Sequence, residues 1–194
     1  MADDVMMDLP AEVAQAVAPV LDALPMTQAM GRLVVPEAAA RQVLPEAAAR
    51  QVLPEDEAWQ VAGGVTSPII ECVEAAVADG AIVSRPALVS GLWLYVDELD
   101  RSHVVSQGID DATGSFWHGI MHRREGDFSN SHYWFRKVGT HPVMVDIDGY
   151  DPHQLIDDVE AASDDDHGRD FDQLVALQRR EWQTLFAWCA QVES

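Results

Sequence analysis

Two histidines spaced one helical turn apart are the residues of this chain best placed to do chemistry. His118, His122 and Glu125 lie at i, i+4 and i+7 within the segment SFWHGIMHRREGDFSNSHYWFRKVG. On a helix this spacing puts the three side chains on one face. Two neutral imidazoles with a carboxylate can chelate a divalent metal ion, and an imidazole can also act as a general acid or base at physiological pH. The segment is therefore predicted to carry a catalytic or metal-binding cluster.

A third histidine is expected to join this pair from the preceding helix. His103 lies on the apolar side of a helix predicted over residues 86–107. The connection over residues 108–114, GIDDATG, is rich in turn formers and short enough to make an antiparallel helical hairpin. Such a hairpin would bring His103 beside the other two rings. The predicted catalytic residues are His103, His118, His122 and Glu125.

The neighbouring residues predict that a ligand at this place is anionic. Arg123 and Arg124 can each donate two parallel hydrogen bonds to a carboxylate or phosphate, and they disfavour a closed cationic metal site. Gly126 is predicted to end the first helix and either Asp127 or Ser129 to cap a second helix over residues 130–138, so that the corner forms a small pocket. The predicted ligand-binding residues are Gln107, Arg123, Arg124, Asp127, Asn130, Tyr133, Trp134 and Arg136, and the metal-ligand candidates are His118 and His122.

Each of these assignments has a structural alternative. The histidines can be partly buried rings that are hydrogen-bonded to carboxylates or carbonyls, the aromatic residues can belong to the core, and the arginines can be surface ion-pair partners in an acidic chain. Two classes of function follow. One is a binding protein or enzyme for a small anionic molecule, with a divalent metal as the candidate cofactor. The other is a non-catalytic helical interaction module, in which the same residues form a structural polar network.

The same region resembles a bacterial protein family. The run WHGIMHRREGDFSNSHYWFRKVGTHP, with DELDRSHVVSQ upstream and LQRREWQTLFAWC near the end, is similar to the family pattern WHxxxHRRExDxxNxxYWxRxxGxHP preceded by SHxxSQ. The family is of a type associated with planctomycetes, and its function is unknown. The resemblance covers roughly residues 88 to 190. It implies a shared motif at this place and no particular activity, cofactor or partner.

The composition favours a cytoplasmic, soluble protein. The chain has 194 residues, is 48% hydrophobic and carries a formal net charge of -21. So acidic a balance argues against nucleic acid and anionic membrane surfaces as partners. Cys72 and Cys189 form no C-x-x-C motif, the first residues show no signal-peptide pattern, and no apolar run reaches the roughly 18 residues that a membrane helix needs.

Three regions are predicted along the chain: a helical N-terminal segment over residues 1–30, a nine-residue tandem repeat (PEAAARQVL) over residues 31–62, and a helical globular domain over residues 63–194. The repeat is interpreted as a spacer, with a partner-docking arm as the alternative. The fold class is predicted to be all-α, a compact bundle of five to six helices with a helical, low-complexity N-terminal arm. Helices are expected near residues 68–79, 86–107, 115–125, 130–138, 152–162 and 170–192, with an extended segment at 143–147 and a charged loop at 163–170.

Overall fold

A computed structural model of the protein describes residues 9–35, 68–163 and 170–192. Within these residues the structure contains eight α-helices, one 3-10 helix and no β-strand, which confirms the predicted all-α class. No helix in the described part of the chain is long and apolar enough to cross a membrane. Most of the predicted repeat spacer and of the charged loop lies outside the described residues. The helices are α1 (Ala11–Ala23), α2 (Pro68–Ala78), α3 (Pro86–Tyr95), α4 (Leu99–Ser106), α5 (Ala112–Glu125), α6 (Phe128–Val138), the 3-10 helix (Pro142–Asp146), α7 (Pro152–Ser163) and α8 (Phe171–Gln191).

Helix α5 runs through the centre of the fold. All of its side chains from Thr113 to Arg124 are buried, although several of them are polar or charged. A buried polar group is costly unless it has a hydrogen-bonding partner. The polar side chains of α5 must therefore find their partners inside the protein, on the helices that surround it.

A sharp turn that the sequence specifies separates α5 from α6. Gly126 ends α5 with φ at +84°, in the left-handed region that glycine adopts without strain. Asp127 then caps α6, because its carboxylate accepts a hydrogen bond from the Asn130 N–H at 3.1 Å. The predicted helix end is confirmed, and of the two predicted caps Asp127 is the one that the structure shows. The turn places the end of α5 beside the beginning of α6.

The prediction of one helix over residues 86–107 is wrong, because the chain turns between α3 and α4. Asp97 adopts φ +63° at this turn, a conformation that aspartate tolerates better than most residues. Its carboxylate lies 2.7 Å from the guanidinium of Arg124, which is fully buried. A tertiary ion pair thus fixes a turn that helical periodicity does not reveal. After it, α4 packs against α3, with the hydroxyls of Ser90 and Ser102 3.0 Å apart.

The predicted extended segment at residues 143–147 is also wrong, since Pro142–Asp146 form a 3-10 helix. Pro142 suits the first position of a helix because the N–H that it lacks would have no helical partner there. The His141 side chain caps the turn by accepting from the Val143 N–H at 3.3 Å. Five alternating residues are too short a pattern to distinguish a strand from a single helical turn.

Residues 9–35 belong to the same core as the later helices. Val13, Val17 and Val20 are completely buried at a spacing typical of one helix face. After α1 the backbone is held by side chains from distant helices, which donate hydrogen bonds to carbonyl oxygens between positions 24 and 32. The donors are Tyr95, Arg124, Gln178 and Arg179.

We expect Gly119→Ala to destabilise the protein, because α5 and α6 touch at Gly119. A Cβ atom there would lie 2.8 Å from the Phe135 ring, and the Gly119 carbonyl already accepts from Ser131 at 2.7 Å. Alanine gains about 1 kcal/mol over glycine in a helix, but overpacking outweighs this, so the free energy of unfolding in urea should fall by about 1–3 kcal/mol. The control is Gly80→Ala, where an added Cβ meets nothing within 4 Å. A Gly119→Ala protein as stable as the control would contradict the packing.

Candidate functional site

Three histidines converge where α4 and α5 meet. The ring centroids of His103 and His118 lie 4.6 Å apart, those of His118 and His122 4.7 Å, and those of His103 and His122 5.5 Å. One potential metal-ligating nitrogen from each ring lies within 4.8 Å of the other two. The structure thus brings together the three predicted rings, which we call the histidine cluster. His103 is partly exposed, so the cluster meets solvent on its α4 side, whereas the other two rings are buried.

The hydrogen bonds of His118 fix which of its nitrogens carries the lone pair. Its Nδ1 lies 3.0 Å from the hydroxyl of Ser106, and that hydroxyl donates to the His103 carbonyl at 3.2 Å. A serine hydroxyl has only one hydrogen to donate. Since the carbonyl takes that hydrogen, His118 donates its Nδ1–H to Ser106. The lone pair of the ring is therefore on Nε2.

A carboxylate orients His122 in a similar way. Glu125 accepts a hydrogen bond from Nδ1 of His122 at 2.7 Å, and the neutral ring therefore has its lone pair on Nε2. The Asn130 side-chain amide lies 3.2 Å from that Nε2 and donates to it. Glu125 and Asp127 also form a second close group of potential ligands with His122. The hydrogen bonds thus assign the lone pair to Nε2 in two of the three rings, and carboxylates lie beside one of these two, His122.

Burial keeps His118 unprotonated. Burial, followed by the neighbouring His122, His103 and Lys137, lowers the pKa of His118 from 6.5 to about 2. The ring is therefore neutral throughout the physiological range and offers a lone pair rather than a proton. Such a ring is suited to bind a cation and is a poor general acid.

An aromatic residue of α6 packs against His118 at one edge of the cluster. The Trp134 ring lies 4.1 Å from the His118 ring, centroid to centroid, and Tyr133 packs edge-on against Trp134 at 5.5 Å. Lys137 also lies over the indole, with its Nζ 4.0 Å from the ring centroid. Tyr133 is 48% exposed and Trp134 is partly exposed, so this edge of the site faces solvent.

The two arginines predicted to bind an anion are instead buried in the core. Arg123 forms an ion pair with Glu181, which is also buried and accepts a hydrogen bond from the Tyr150 hydroxyl. Burial, together with the nearby Glu181 carboxylate, raises the pKa of Tyr150 well above its ordinary value, so the phenol keeps its proton. Arg124 pairs with Asp97 and donates to two backbone carbonyls. The terminal nitrogens of both guanidinium groups bond to these internal partners, whereas the Nε atoms find no hydrogen-bond partner among the described residues. The Arg123–Glu181 pair is fully buried, and in the second pair Arg124 is buried while the Asp97 side chain is 33% exposed.

The other predicted ligand residues are divided between the cluster and the surface. Asn130 contacts His122, and Asp127 caps α6 beside it. Gln107 and Arg136 are exposed, and no described side-chain contact joins either of them to the histidine cluster; the Gln107 backbone N–H donates to the His103 carbonyl at 3.0 Å.

The sequence-based prediction missed residues that hold the site in place. Ser106 orients His118, and its position three residues after His103 on the same helix was the available signal. Lys137 lies three residues after Trp134, a spacing that places both on one face of α6. Glu181 and Tyr150 gave no local signal, because they meet Arg123 across long stretches of chain.

A second pair of histidines lies on the surface between α6 and α7. The Nδ1 atoms of His132 and His153 are 2.8 Å apart, and Nε2 of His132 is 3.1 Å from the Asp157 carboxylate. The rings are stacked, with an interplanar angle of 8°. This pair joins the two helices and is separate from the histidine cluster.

Comparisons of the chain with protein-family models, with curated proteins and with solved structures give no match. The resemblance to a bacterial family with the WHxxxHRRE pattern therefore stays a prediction, and the arguments that follow rest on the geometry of the site.

We expect Arg123→Met to destabilise the protein strongly, because it leaves the Glu181 carboxylate buried without its partner. Removing one member of a buried ion pair typically costs about 3–5 kcal/mol, and urea denaturation measures this loss. The double variant Arg123→Met with Glu181→Gln holds no buried charge here and keeps an acceptor for Tyr150, so it should lose less than the sum of the single variants. Arg136→Met, at an exposed position, should change stability by no more than about 0.5 kcal/mol. A loss below about 1 kcal/mol for Arg123→Met would contradict the buried pair.

Proposed function

We propose that the histidine cluster binds a divalent transition-metal ion, and that the protein binds or transforms a small molecule at that metal. The observation that carries the proposal is the convergence of three imidazoles whose potential ligand nitrogens lie within 4.8 Å of one another. Imidazole is a common ligand for zinc, copper, iron and nickel. A cluster of this kind is the usual minimum for a protein metal site.

The distances require only a small adjustment. In a tetrahedral site with metal–nitrogen bonds of about 2.1 Å, the ligand nitrogens are about 3.4 Å apart. Rotation of the imidazole rings about their side-chain bonds can close the difference from the observed 4.8 Å limit. Metal binding would also replace the contact between Asn130 and Nε2 of His122. The amide has rotatable bonds and can move aside.

The surroundings resemble those of metal sites that keep one position open. Three protein ligands leave the fourth position of a tetrahedral ion for water or substrate, which distinguishes catalytic from structural zinc sites. Glu125 accepts from Nδ1 of His122, and Ser106 accepts from Nδ1 of His118; such partners fix ring orientation in metal sites. A metal in this position would lower the pKa of bound water and polarise a bound carbonyl or phosphoryl group. The reaction class favoured is thus metal-assisted hydrolysis or hydration.

One observation favours the non-catalytic alternative, a helical module with a structural polar network. Ser106, Glu125 and Asn130 already give His118 and His122 hydrogen-bonding partners inside the protein. A fully satisfied network can fix helix packing without any ligand. The two functions differ in what they predict for added metal, because a purely structural network gains nothing from it.

Zinc or cobalt added to the metal-free protein should bind at one ion per chain and raise the melting temperature. At a free metal concentration about 100 times Kd the stabilisation is about 2.7 kcal/mol. His118→Ala should abolish both effects, since it removes the central ring of the cluster. His132→Gln removes a histidine outside the cluster and should behave as wild type. Calorimetric titration and thermal denaturation measure these outcomes. Wild-type protein that neither binds nor is stabilised would support the structural module instead.

Ser106→Ala should weaken metal binding by about 10–100-fold without preventing it, because the hydroxyl orients His118 but does not itself contact the metal. Ser102→Ala is the matched control. It removes a buried hydroxyl from the same helix, and that hydroxyl contacts Ser90 rather than a histidine. Competition with a chromophoric chelator gives the metal Kd of each variant. Equal Kd values for the two variants would show that Ser106 has no orienting role.

A further inference from the structure

We infer that Lys137 binds an oxyanion at the metal centre, so that the small molecule taken by this site carries a carboxylate or phosphate group. The inference rests on the proposed function, because it needs the metal in the histidine cluster. It assigns the anion-binding role to a residue of α6 rather than to the buried arginines of α5.

Lys137 is placed at the solvent edge of the cluster by two contacts. Its Nζ lies 4.0 Å from the Trp134 ring centroid, and the same indole contacts the His118 ring at 4.1 Å, centroid to centroid. The Nζ is also 5.7 Å from the Tyr133 ring centroid. One indole ring thus connects the ammonium group to the histidine cluster, and Lys137 itself is exposed.

The charge of Lys137 is not neutralised within the described part of the protein. No carboxylate there forms an ion pair with it, whereas Arg123, Arg124 and Arg101 are all paired with carboxylates. An ammonium without a carboxylate partner near the histidine cluster is a natural partner for a negatively charged group.

The overall negative charge of the chain makes a local cation useful for attracting an anion to the site. With 33 acidic and 12 basic residues, the protein as a whole repels anions. Lys137 is the only lysine of the chain, and it lies at this edge. A divalent metal held by neutral rings would add further positive charge, so an oxyanion could contact the metal and the ammonium together. An ammonium is a point charge without directional preference, and it suits phosphate and carboxylate equally.

The neighbouring Arg136 offers a matched comparison. It is exposed like Lys137, and it lies four residues after His132, on the side of α6 that packs against α7. Arg136→Gln and Lys137→Gln therefore remove the same charge from adjacent positions of one helix. Only the second removes it from the edge of the histidine cluster.

The test uses the full chain loaded with Co²⁺, whose visible absorption reports the ligands of the metal. Inorganic phosphate and acetate are titrated separately at constant ionic strength, after unbound cobalt has been removed. In wild-type protein each anion should produce a saturable change in the spectrum. Lys137→Gln should raise the apparent Kd for both anions at least tenfold while the affinity for Co²⁺ stays within about twofold. Arg136→Gln should match wild type.

The cobalt spectra and anion titrations distinguish failure of the metal site, of oxyanion binding and of the role of Lys137. A wild-type protein that gives no cobalt spectrum overturns the metal site and this inference with it. A normal cobalt spectrum that neither anion perturbs overturns the oxyanion ligand but leaves the metal site. An anion Kd that is unchanged in Lys137→Gln, or raised equally in Arg136→Gln, overturns the role of Lys137. Circular dichroism of both variants shows whether α6 is intact, so loss of fold cannot be mistaken for loss of binding.

Discussion

The buried ion pair between Arg123 and Glu181 sets the orientation of α5, and the rest of the site depends on it. Arg123 directly follows His122 on the helix, so the direction of one side chain determines the direction of the other. The pair holds Arg123 towards α8, while the contacts of Arg124 hold that side chain towards α3 and residue 32. The face left for the histidines then points at α4. The two buried guanidinium groups thus orient α5 so that its histidine side chains face His103 on α4.

Local features of this site could be predicted from the sequence, whereas its long-range partners could not. The i, i+4 spacing of the histidines, the glycine that ends α5 and the aspartate that caps α6 are properties of a few adjacent residues. The partner of Arg123 lies 58 positions away, so no local pattern identifies it. The same limit explains the missed turn at Asp97, which a partner on another helix fixes. Periodicity shows which residues can share a face, but it does not show what that face meets.

The structure also separates the charges of this region into two environments. Both arginines are buried in the core, Arg123 with the buried Glu181 and Arg124 with the partly exposed Asp97. Burial keeps His118 neutral beside them, and the sole lysine lies at the edge. A sequence in which His, Arg, Glu and Lys are interleaved over twenty residues therefore forms a histidine cluster, two ion pairs with buried guanidinium groups, and an exposed cation. The angular position of each residue on α5 or α6 determines which of these environments its side chain occupies.

The backbone carbonyls of residues 24–32 have a consequence for how the protein is made. Gln178, which donates to the carbonyl of Met30, is 148 positions further along the chain. While the ribosome is still synthesising the middle of the protein, this early segment has none of its final donors from α8. The carbonyls that Gln178 and Arg179 satisfy remain solvated until α8 has been synthesised. Closing such long loops slows folding, so the contacts between this segment and α8 should form late in folding.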